Sequence, residues 1–267
     1  MGNTLEFRHI TKYFPGVKAL DDVSFTAHSG EVLAFLGENG AGKSTLLKTL
    51  NGDYQPSSGQ YLLNGEEMHF RNPHEAIEAG VSVIYQERQI LMELSVAENI
   101  YLGRMPANAL GVINKRRANE MAERIIADFG LPLRPTDKVR DLSVAYQQMV
   151  EIMKAYSREN LRVICFDEPS ASLSDSEIES LFSIIRKLKS EDKIVIYVSH
   201  RMSEIFEITD RVAVFKDGRY VDTVVTGEVD EGQLIQMMVG RDLGDIYNSL
   251  DRDKQIGDVL LEARHIS

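Results

Sequence analysis

Cysteine, tryptophan and long apolar runs are scarce or missing in this sequence. It contains one cysteine, Cys165, and no tryptophan. A single cysteine excludes a disulfide within the chain, and its place in an apolar stretch predicts a small core residue. No apolar run approaches the roughly 20 residues that cross a bilayer, and the first residues lack a signal-peptide pattern. The histidines lack metal-ligand spacing. We therefore expect a cytosolic globular protein.

Positive charge is also in short supply. Lysine and arginine total 30 against 41 aspartates and glutamates, which gives a formal net charge of −11 at pH 7. Surfaces that bind nucleic acid are basic, and no basic stripe stands out along this chain. The sequence therefore predicts that nucleic acid is not a partner. Its 267 residues are enough to bury the core of one large domain, or of a core with a subdomain.

A glycine-rich segment that follows a short apolar run is the strongest motif of the chain. After the apolar residues 33–36 come, in order, Gly37, Glu38, Asn39, Gly40, Ala41, Gly42, Lys43, Ser44 and Thr45. The spacing from Gly37 to the Gly-Lys-Ser triplet is that of a phosphate-binding P-loop between a strand and a helix. Glycines let backbone N–H groups approach phosphates closely, and the start of the following helix favours negative charge.

Two side chains at the end of this loop have specific roles in such a site. Lys43 is expected to neutralise the β- and γ-phosphate oxygens, and the Ser44 hydroxyl is expected to ligate Mg²⁺. The alternative is an ordinary glycine-rich turn, which does not require the complete spacing with a strand before it and a helix after it. The segment therefore predicts a site for a nucleoside triphosphate with Mg²⁺.

Two adjacent acids follow a second apolar run. Residues 163–166 have the character of a strand buried on both faces, and Asp167 and Glu168 come directly after them. In P-loop proteins an aspartate at this place holds the Mg²⁺ shell. The glutamate is placed to polarise a water for attack on the γ-phosphate. An acid at a strand end is a weak signal alone, and the complete P-loop makes it a strong one.

Two more polar residues stand at the ends of apolar strands. Gln86 follows the run 81–85, where it can reach Mg²⁺ or the attacking water, although it can also be a surface residue that begins a loop. His200 ends the run 194–198 after one serine, where it can sense the γ-phosphate; a hydrogen-bonded structural histidine is the alternative. The carboxyl ends of parallel strands share one edge, so we expect both side chains at the same crevice.

An aromatic pair precedes the P-loop. Tyr13 and Phe14 lie just before a Pro-Gly turn that separates two alternating, strand-like stretches. An aromatic ring here can stack on a purine base, because every base presents a flat π-face. It can equally well be a core or edge residue of a hairpin, and the residues alone do not decide between these roles.

The pattern becomes helical between about residues 88 and 160, with no strand signal in between. We interpret this stretch as a helical insertion in an α/β core, suited to partner contact or to further core packing.

The last residues of the sequence resemble the first strand: residues 261–267 repeat residues 5–11 almost residue for residue. The repeat suggests a second copy of the unit. We therefore divide the chain into a domain at 1–240, a linker at 241–256 and the first strand of a truncated second domain at 257–267.

Taken together, these landmarks resemble the ATP-binding cassette (ABC) family over the whole chain. The P-loop matches its Walker A motif, Val163–Glu168 its Walker B motif with the catalytic glutamate, Gln86 its Q-loop and His200 its H-loop. Phe14 aligns best with the aromatic that stacks on adenine. The resemblance implies an α/β fold: a P-loop NTPase core with an antiparallel β subdomain and an inserted α-helical subdomain. It also implies ATP and Mg²⁺ as cofactors, with Ser44, Gln86 and Asp167 around the metal.

Two motifs depart from the family pattern. The Leu-Ser-Gly-Gly-Gln signature falls on Leu142 followed by Ser143, Val144, Ala145 and Tyr146, so that both glycines and the glutamine are replaced. The D-loop ends on Ser174 where the family has aspartate. The resemblance implies that these residues contact the ATP site of a partner cassette. Such departures are similar to the first cassette of bacterial monosaccharide importers, whose ATPase subunit carries two fused cassettes.

Within those importers, residues 215–220 and 244–247 are most similar to L-arabinose import ATPases, while ribose, galactose and xylose importers share most of the pattern. The resemblance implies ATP hydrolysis that powers sugar import. It implies as partners the second cassette of the same full-length chain, transmembrane permease subunits and, indirectly, a periplasmic sugar-binding protein. The expected location is the cytoplasmic face of the inner membrane. A soluble ABC ATPase acting on nucleic acid or ribosomes and a non-hydrolysing regulatory module are the alternatives.

Overall fold

A computed structural model describes residues 2–240 of the chain. The strands are β1 (Thr4–Phe14), β2 (Val17–His28), β3 (Val32–Leu36), β4 (Ser58–Leu63), β5 (Glu66–Met68), β6 (Val81–Ile84), β7 (Val163–Asp167), β8 (Ile194–Val198), β9 (Arg211–Lys216) and β10 (Arg219–Val225). The helices are α1 (Lys43–Leu50), α2 (Pro73–Glu78), α3 (Val96–Ile100), α4 (Lys115–Asp128), α5 (Val144–Tyr156), α6 (Asp175–Ser190), α7 (Met202–Ile208) and α8 (Glu231–Val239). Two 3₁₀ turns lie at Val139–Asp141 and Thr226–Glu228.

A six-stranded sheet forms the centre of the fold, in the order β10-β9-β3-β8-β7-β6. Its strands run parallel except for the β9–β10 hairpin at one edge. Every residue of β3, β7 and β8 is buried, as expected for parallel strands that are covered on both faces. Because these three strands are neighbours and parallel, their carboxyl ends meet at one edge of the sheet.

A four-stranded antiparallel sheet, in the order β2-β1-β4-β5, packs on one face of the central sheet. Its aromatic residues join the two layers: Phe25 stacks on Phe7 with ring centroids 4.4 Å apart and meets Phe35 of β3 edge-on at 5.4 Å. The alternation predicted for residues 5–10 is interrupted at His9, whose φ of 54° accompanies a shift of register between β1 and its neighbours. The strand nevertheless continues to Phe14.

Helices cover the opposite face of the central sheet. Alternate residues of β3 divide between the two layers: Leu33 and Phe35 join the core beneath the antiparallel sheet, and Ala34 and Leu36 join the core beneath the helices. The segment between β6 and β7 consists of α3, α4, a 3₁₀ turn and α5, in agreement with the helical pattern from about 88 to 160. The mixed α/β fold class expected from the sequence is confirmed, and within residues 2–240 no helix is long and apolar enough to cross a membrane.

Helix boundaries follow local capping. Ser95 and Glu98 form a capping box at α3, and Ser174 and Glu177 form another at α6. Helix α5 begins at Val144 because Ser143 caps it by accepting a hydrogen bond from the Tyr146 N–H at 3.4 Å. Helix α7 was not expected from the sequence. The predicted linker at 241–256 and the repeat strand at 257–267 lie outside the described residues.

Candidate functional site

The glycine-rich segment joins the carboxyl end of β3 to the first turn of α1, as predicted. Its lysine is held inside the loop: Lys43 Nζ donates to the carbonyl oxygens of Gly37 at 2.7 Å and of Glu38 at 3.0 Å. The side chain is only 8% exposed. The loop therefore surrounds a cation at the start of a helix, where successive N–H groups can meet an anion.

Glycine is required at two positions of this loop because neighbouring backbone approaches closely. A Cβ on Gly37 would collide with the Phe215 carbonyl oxygen of β9. A Cβ on Gly42 would lie 2.7 Å from the Ala19 carbonyl oxygen of β2, and this residue has a φ of 99°, which side chains rarely adopt. The loop is thus wedged between the two sheets, which explains the glycine spacing seen in the sequence.

The Walker B aspartate faces the P-loop serine. Asp167 Oδ1 lies 3.5 Å from Ser44 Oγ at the end of β7, and the carboxylate is largely buried. Burial raises the pKa of Asp167, and the hydrogen bond from Ser44 opposes that rise. A buried carboxylate beside a hydroxyl is a pair of hard oxygen donors, and a divalent cation would favour the ionised form. These two residues fit a Mg²⁺ ion.

The ammonium and the acids of the site act on one another. Burial lowers the pKa of Lys43, and the negative charges of Glu168 and Asp167 oppose that fall. The protein thus places one partly desolvated cation within electrostatic reach of two carboxylates. A phosphate bound there would stabilise the charged ammonium further.

Glu168 and His200 come together at the same edge of the sheet. Glu168 Oε1 lies 3.3 Å from His200 Nδ1. The glutamate has a φ of 50°, in the left-handed region that costs a non-glycine residue of order 1–3 kcal/mol, and its N–H donates to the Val198 carbonyl oxygen of β8 at 3.0 Å. His200 therefore lies at the strand ends beside one of the two acids that follow β7.

A cavity of about 340 Å³ lies against the P-loop. Residues 39–45 line one side, Glu168 lines another, and the rest is formed by Val17–Ala19 and by Asp217 and Gly218. No sequence motif predicts a role for these last two groups of residues. An Asp-Gly pair is typical of a hairpin turn, and only the folded chain brings this turn, between β9 and β10, beside the loop.

Gln86 lines a second, larger cavity of about 640 Å³, together with Ser44 and Asp167. The side chain is exposed, and Gln86 lies two residues after the end of β6, because the strand stops at Ile84, one residue before the predicted end. Tyr85 and Asp53 line the same cavity, and their side chains are joined by a hydrogen bond of 2.5 Å. The geometry therefore places the amide of Gln86 at the same cavity as the two candidate metal ligands.

The aromatic pair occupies the tip of the β1–β2 hairpin. Phe14 is partly buried and meets Tyr54 edge-on, with ring centroids 5.2 Å apart, and Lys12 Nζ lies 5.1 Å from its centroid. Tyr13 is more than half exposed, and Lys18 Nζ lies 5.4 Å from its ring centroid. In residues 2–240, neither aromatic ring is part of the cavity against the P-loop.

The signature residues form the cap and first turn of α5 rather than part of the P-loop cavity, as far as the described chain shows. Val144 is exposed and Ala145 is buried. The Ser143 hydroxyl donates to Glu177 Oε1 at 3.3 Å. The other oxygen of the same carboxylate accepts from the N–H and hydroxyl of Ser174, at 2.9 and 2.8 Å. One acid therefore joins the predicted signature to the predicted D-loop.

The fold is that of known ATP-binding cassettes. A crystal structure of MJ1267, an ATP-binding cassette of an ABC transporter, in its ADP conformation matches with a TM-score of 0.76 and 25% sequence identity, over 90% of this chain and all of that chain. A nucleotide-free cassette from an ABC transporter matches with a TM-score of 0.74 and 24% identity, over 92% of this chain and 98% of the other.

Sequence comparison gives closer relatives. The arabinose import ATP-binding protein AraG of Escherichia coli O6:K15:H31 is 51% identical over 244 residues, which cover 91% of this chain and 48% of that protein. AraG of Mannheimia succiniciproducens is 47% identical over 264 residues, covering 98% of this chain and 52% of that protein. The chain thus spans about half the length of the curated relatives it matches. A family model described as ABC transporter matches residues 20–171, and the chain belongs to this family.

Proposed function

We propose that this chain is a nucleotide-binding cassette that binds ATP with Mg²⁺ and hydrolyses it to drive the import of a monosaccharide. The convergence of Lys43, Ser44, Asp167, Glu168 and His200 at one edge of the parallel sheet carries this proposal. Phosphate, metal and water must meet at one point for phosphoryl transfer, and catalysis there consists mainly of positioning and charge stabilisation.

Each residue of this group has a distinct role in the proposal. The P-loop N–H groups and Lys43 bind the phosphates, and Ser44 and Asp167 would hold Mg²⁺, which would neutralise negative charge on the phosphates. Glu168 accepts a proton from the water that attacks the γ-phosphorus, while the bond from that phosphorus to the ADP oxygen breaks. His200 lies beside Glu168, where a donor can reach the γ-phosphate.

Gln86 and Phe14 complete the proposed ATP site. Gln86 shares a cavity with Ser44 and Asp167, which supports a role at the metal or at the attacking water. Phe14 lies on the hairpin whose next residues, Val17–Ala19, line the P-loop cavity. This proximity supports stacking of its ring on adenine.

The remaining partners follow from the relatives. Curated relatives about twice as long as this chain, named as arabinose import proteins, support the proposal that residues 1–240 are the first of two cassettes in a longer protein. In it, Ser143, Val144, Ala145, Tyr146 and Ser174 face the second cassette. The helical segment contacts transmembrane permease subunits at the cytoplasmic face of the inner membrane, and a periplasmic binding protein delivers the sugar, of which L-arabinose is the first candidate.

The test is reconstitution of the full-length protein with its permease and binding protein in liposomes. We expect phosphate release from ATP to rise on addition of L-arabinose, more than with D-ribose, D-galactose or D-xylose. The Lys43→Ala variant serves as the inactive control. ATP hydrolysis that responds to RNA or ribosomes and to none of these sugars would contradict the proposal.

A further inference from the structure

Three residues around His200 bond to one buried carboxylate. Glu204 Oε2 accepts from the Tyr197 hydroxyl at 2.9 Å and from the Ser199 hydroxyl at 2.7 Å, and Glu204 Oε1 accepts from the Arg201 guanidinium at 3.3 Å. Glu204 lies in the first turn of α7 and is 4% exposed. Both of its oxygens are therefore occupied by donors from residues 197–201, the segment that carries His200.

A local hydrogen bond within residues 197–201 also spans His200. The Arg201 N–H donates to Ser199 Oγ at 3.0 Å, so that this hydroxyl accepts from the backbone on one side of His200 while it donates to Glu204. The His200 side chain itself is 63% exposed. An exposed ring has little packing to orient it, and its direction is set by the backbone beneath it.

The same network reaches the segment that follows the Walker B acids. The Ser170 side chain lies near the Tyr197 hydroxyl, where it opposes the rise that burial causes in the pKa of Tyr197. Ser170 is buried and lies two residues after Glu168, whose own N–H is bonded to the Val198 carbonyl oxygen. Glu168 and His200, which approach each other in the crevice, are thus both held to β8: Glu168 through its backbone hydrogen bond, and His200 through the chain that continues from the strand.

We propose that Glu204 is a positioning residue for ATP hydrolysis, which holds the backbone around His200 so that its ring stays beside Glu168. The inference rests on the proposed function. Buried carboxylates that accept several hydrogen bonds hold their partners in one geometry, because a donor left without its acceptor in the interior costs about 1–3 kcal/mol. Alanine at 204 leaves the hydroxyls of Tyr197 and Ser199 without that acceptor, and the His200 segment is then free to shift.

The expected effect is on turnover rather than on ATP binding. A displacement of about 1 Å at a catalytic group can lower a rate by as much as about 100-fold. In the full-length protein with its permease, we expect Glu204→Ala to lower kcat at least about tenfold and to leave the Kd for Mg-ATP within about twofold. Glu204→Gln, which keeps one acceptor oxygen and the side-chain shape, should fall between the wild type and the alanine variant.

The matched control is Glu207→Gln. Glu207 lies on the same short helix and is exposed, where it pairs with Arg186 at 3.1 Å, so it tests the loss of a carboxylate on α7 without the network. We expect its kcat to stay at the wild-type value. Thermal unfolding of all variants separates loss of turnover from loss of folded protein; an alanine variant that fails to fold leaves the glutamine variant as the readout.

A double-mutant cycle with His200→Ala tests whether Glu204 affects turnover through His200. The rate of single-turnover phosphate release is measured, so that slow rates are resolved. If Glu204 acts through His200, Glu204→Ala should slow the His200→Ala protein by less than about twofold, because the effects of coupled residues do not add. The proposal is overturned by an equal slowing in both backgrounds, or by a Glu204→Gln protein with the wild-type kcat. A wild-type protein that does not hydrolyse ATP would refute the proposed function instead.

Discussion

The Ser44 hydroxyl and the Asp167 carboxylate lie 3.5 Å apart, although 123 positions separate these residues in the sequence. Asp167 is the last residue of β7, and Ser44 lies in the first turn of α1, which the P-loop joins to the carboxyl end of β3; the two strands are separated in the sheet only by β8. The sheet thus brings together two oxygen donors that local structure could not place.

Lys43→Ala should abolish or severely weaken ATP binding. The ammonium is the cation that the P-loop itself encloses, and it is held by two loop carbonyl oxygens. Its removal leaves the phosphates with N–H dipoles and the metal alone. Equilibrium titration with a fluorescent ATP analogue measures the effect, with Lys187→Ala on α6 as the control. An affinity within a few-fold of wild type would show that Lys43 does not contact the phosphates.

Glu168→Gln should keep ATP affinity and lose turnover. The amide preserves the shape of the side chain but cannot accept the proton of the attacking water, a contribution that is typically worth about 10²–10⁴ in rate. Steady-state phosphate release from the full transporter is the measurement, and Glu179→Gln on the exposed face of α6 is the control. Hydrolysis at the wild-type rate would assign the proton acceptor to another residue.

Phe14→Ala should weaken the binding of adenine and guanine nucleotides alike. Stacking reads the flat face of a base and contributes about 1–3 kcal/mol, so we expect a loss of about tenfold in affinity for both. Tyr13→Ala is the matched control, because Tyr13 is the neighbouring and more exposed aromatic residue. The opposite result, with Tyr13→Ala weakening both nucleotides and Phe14→Ala neither, would transfer the stacking role to Tyr13.

Glu151 should make the stability of the fold depend on pH. Burial raises the pKa of this carboxyl from 4.5 to about 7, and Glu151 Oε2 has no hydrogen-bond partner among the described residues. The folded protein then binds the proton more tightly than the unfolded chain does. The stability that Glu151 contributes is therefore present below about pH 4.5 and is lost as the pH rises to about 7.

Glu151→Gln should remove this dependence, since the amide stays neutral at every pH. The shift corresponds to about 3 kcal/mol, so the variant should gain up to about that much in free energy of unfolding at pH 8 and much less at pH 5. Urea unfolding at the two pH values measures it, and the exposed Glu159→Gln is the control. A gain that is equal at both pH values would contradict an ionisation effect.

Much of the architecture was predictable because chemistry and strand ends coincide in the sequence. The apolar runs that precede Gly37, Asp167 and His200 are β3, β7 and β8, and they proved to be neighbours in one parallel sheet. Helix α7 escaped prediction because its seven residues begin only two positions after His200, without a cap that is visible in the sequence. Its Ncap is Arg201, whose side chain makes no capping bond.

The parts of the site that sequence could not predict depend on contacts between separate elements. Asp217 and Gly218 line the P-loop cavity because the β9–β10 turn packs against β2, where a Cβ on Gly218 would lie 2.8 Å from the Ala19 carbonyl oxygen. The acidic network beneath His200 depends on how α7 is oriented against β8. Neither arrangement leaves a residue pattern along the chain, because each is set by tertiary packing.

The Glu177 carboxylate, which Ser143 and Ser174 share, couples the start of α5 to the start of α6. Glu177 bonds to the first of these serines through one oxygen and to the second through the other, so it can keep both bonds only if the two loops move together. A binding partner that shifts the start of α5 therefore shifts the start of α6 as well. A displacement of α5 can thus be transmitted to the segment between Glu168 and α6 through this carboxylate, without a change in the six-stranded sheet.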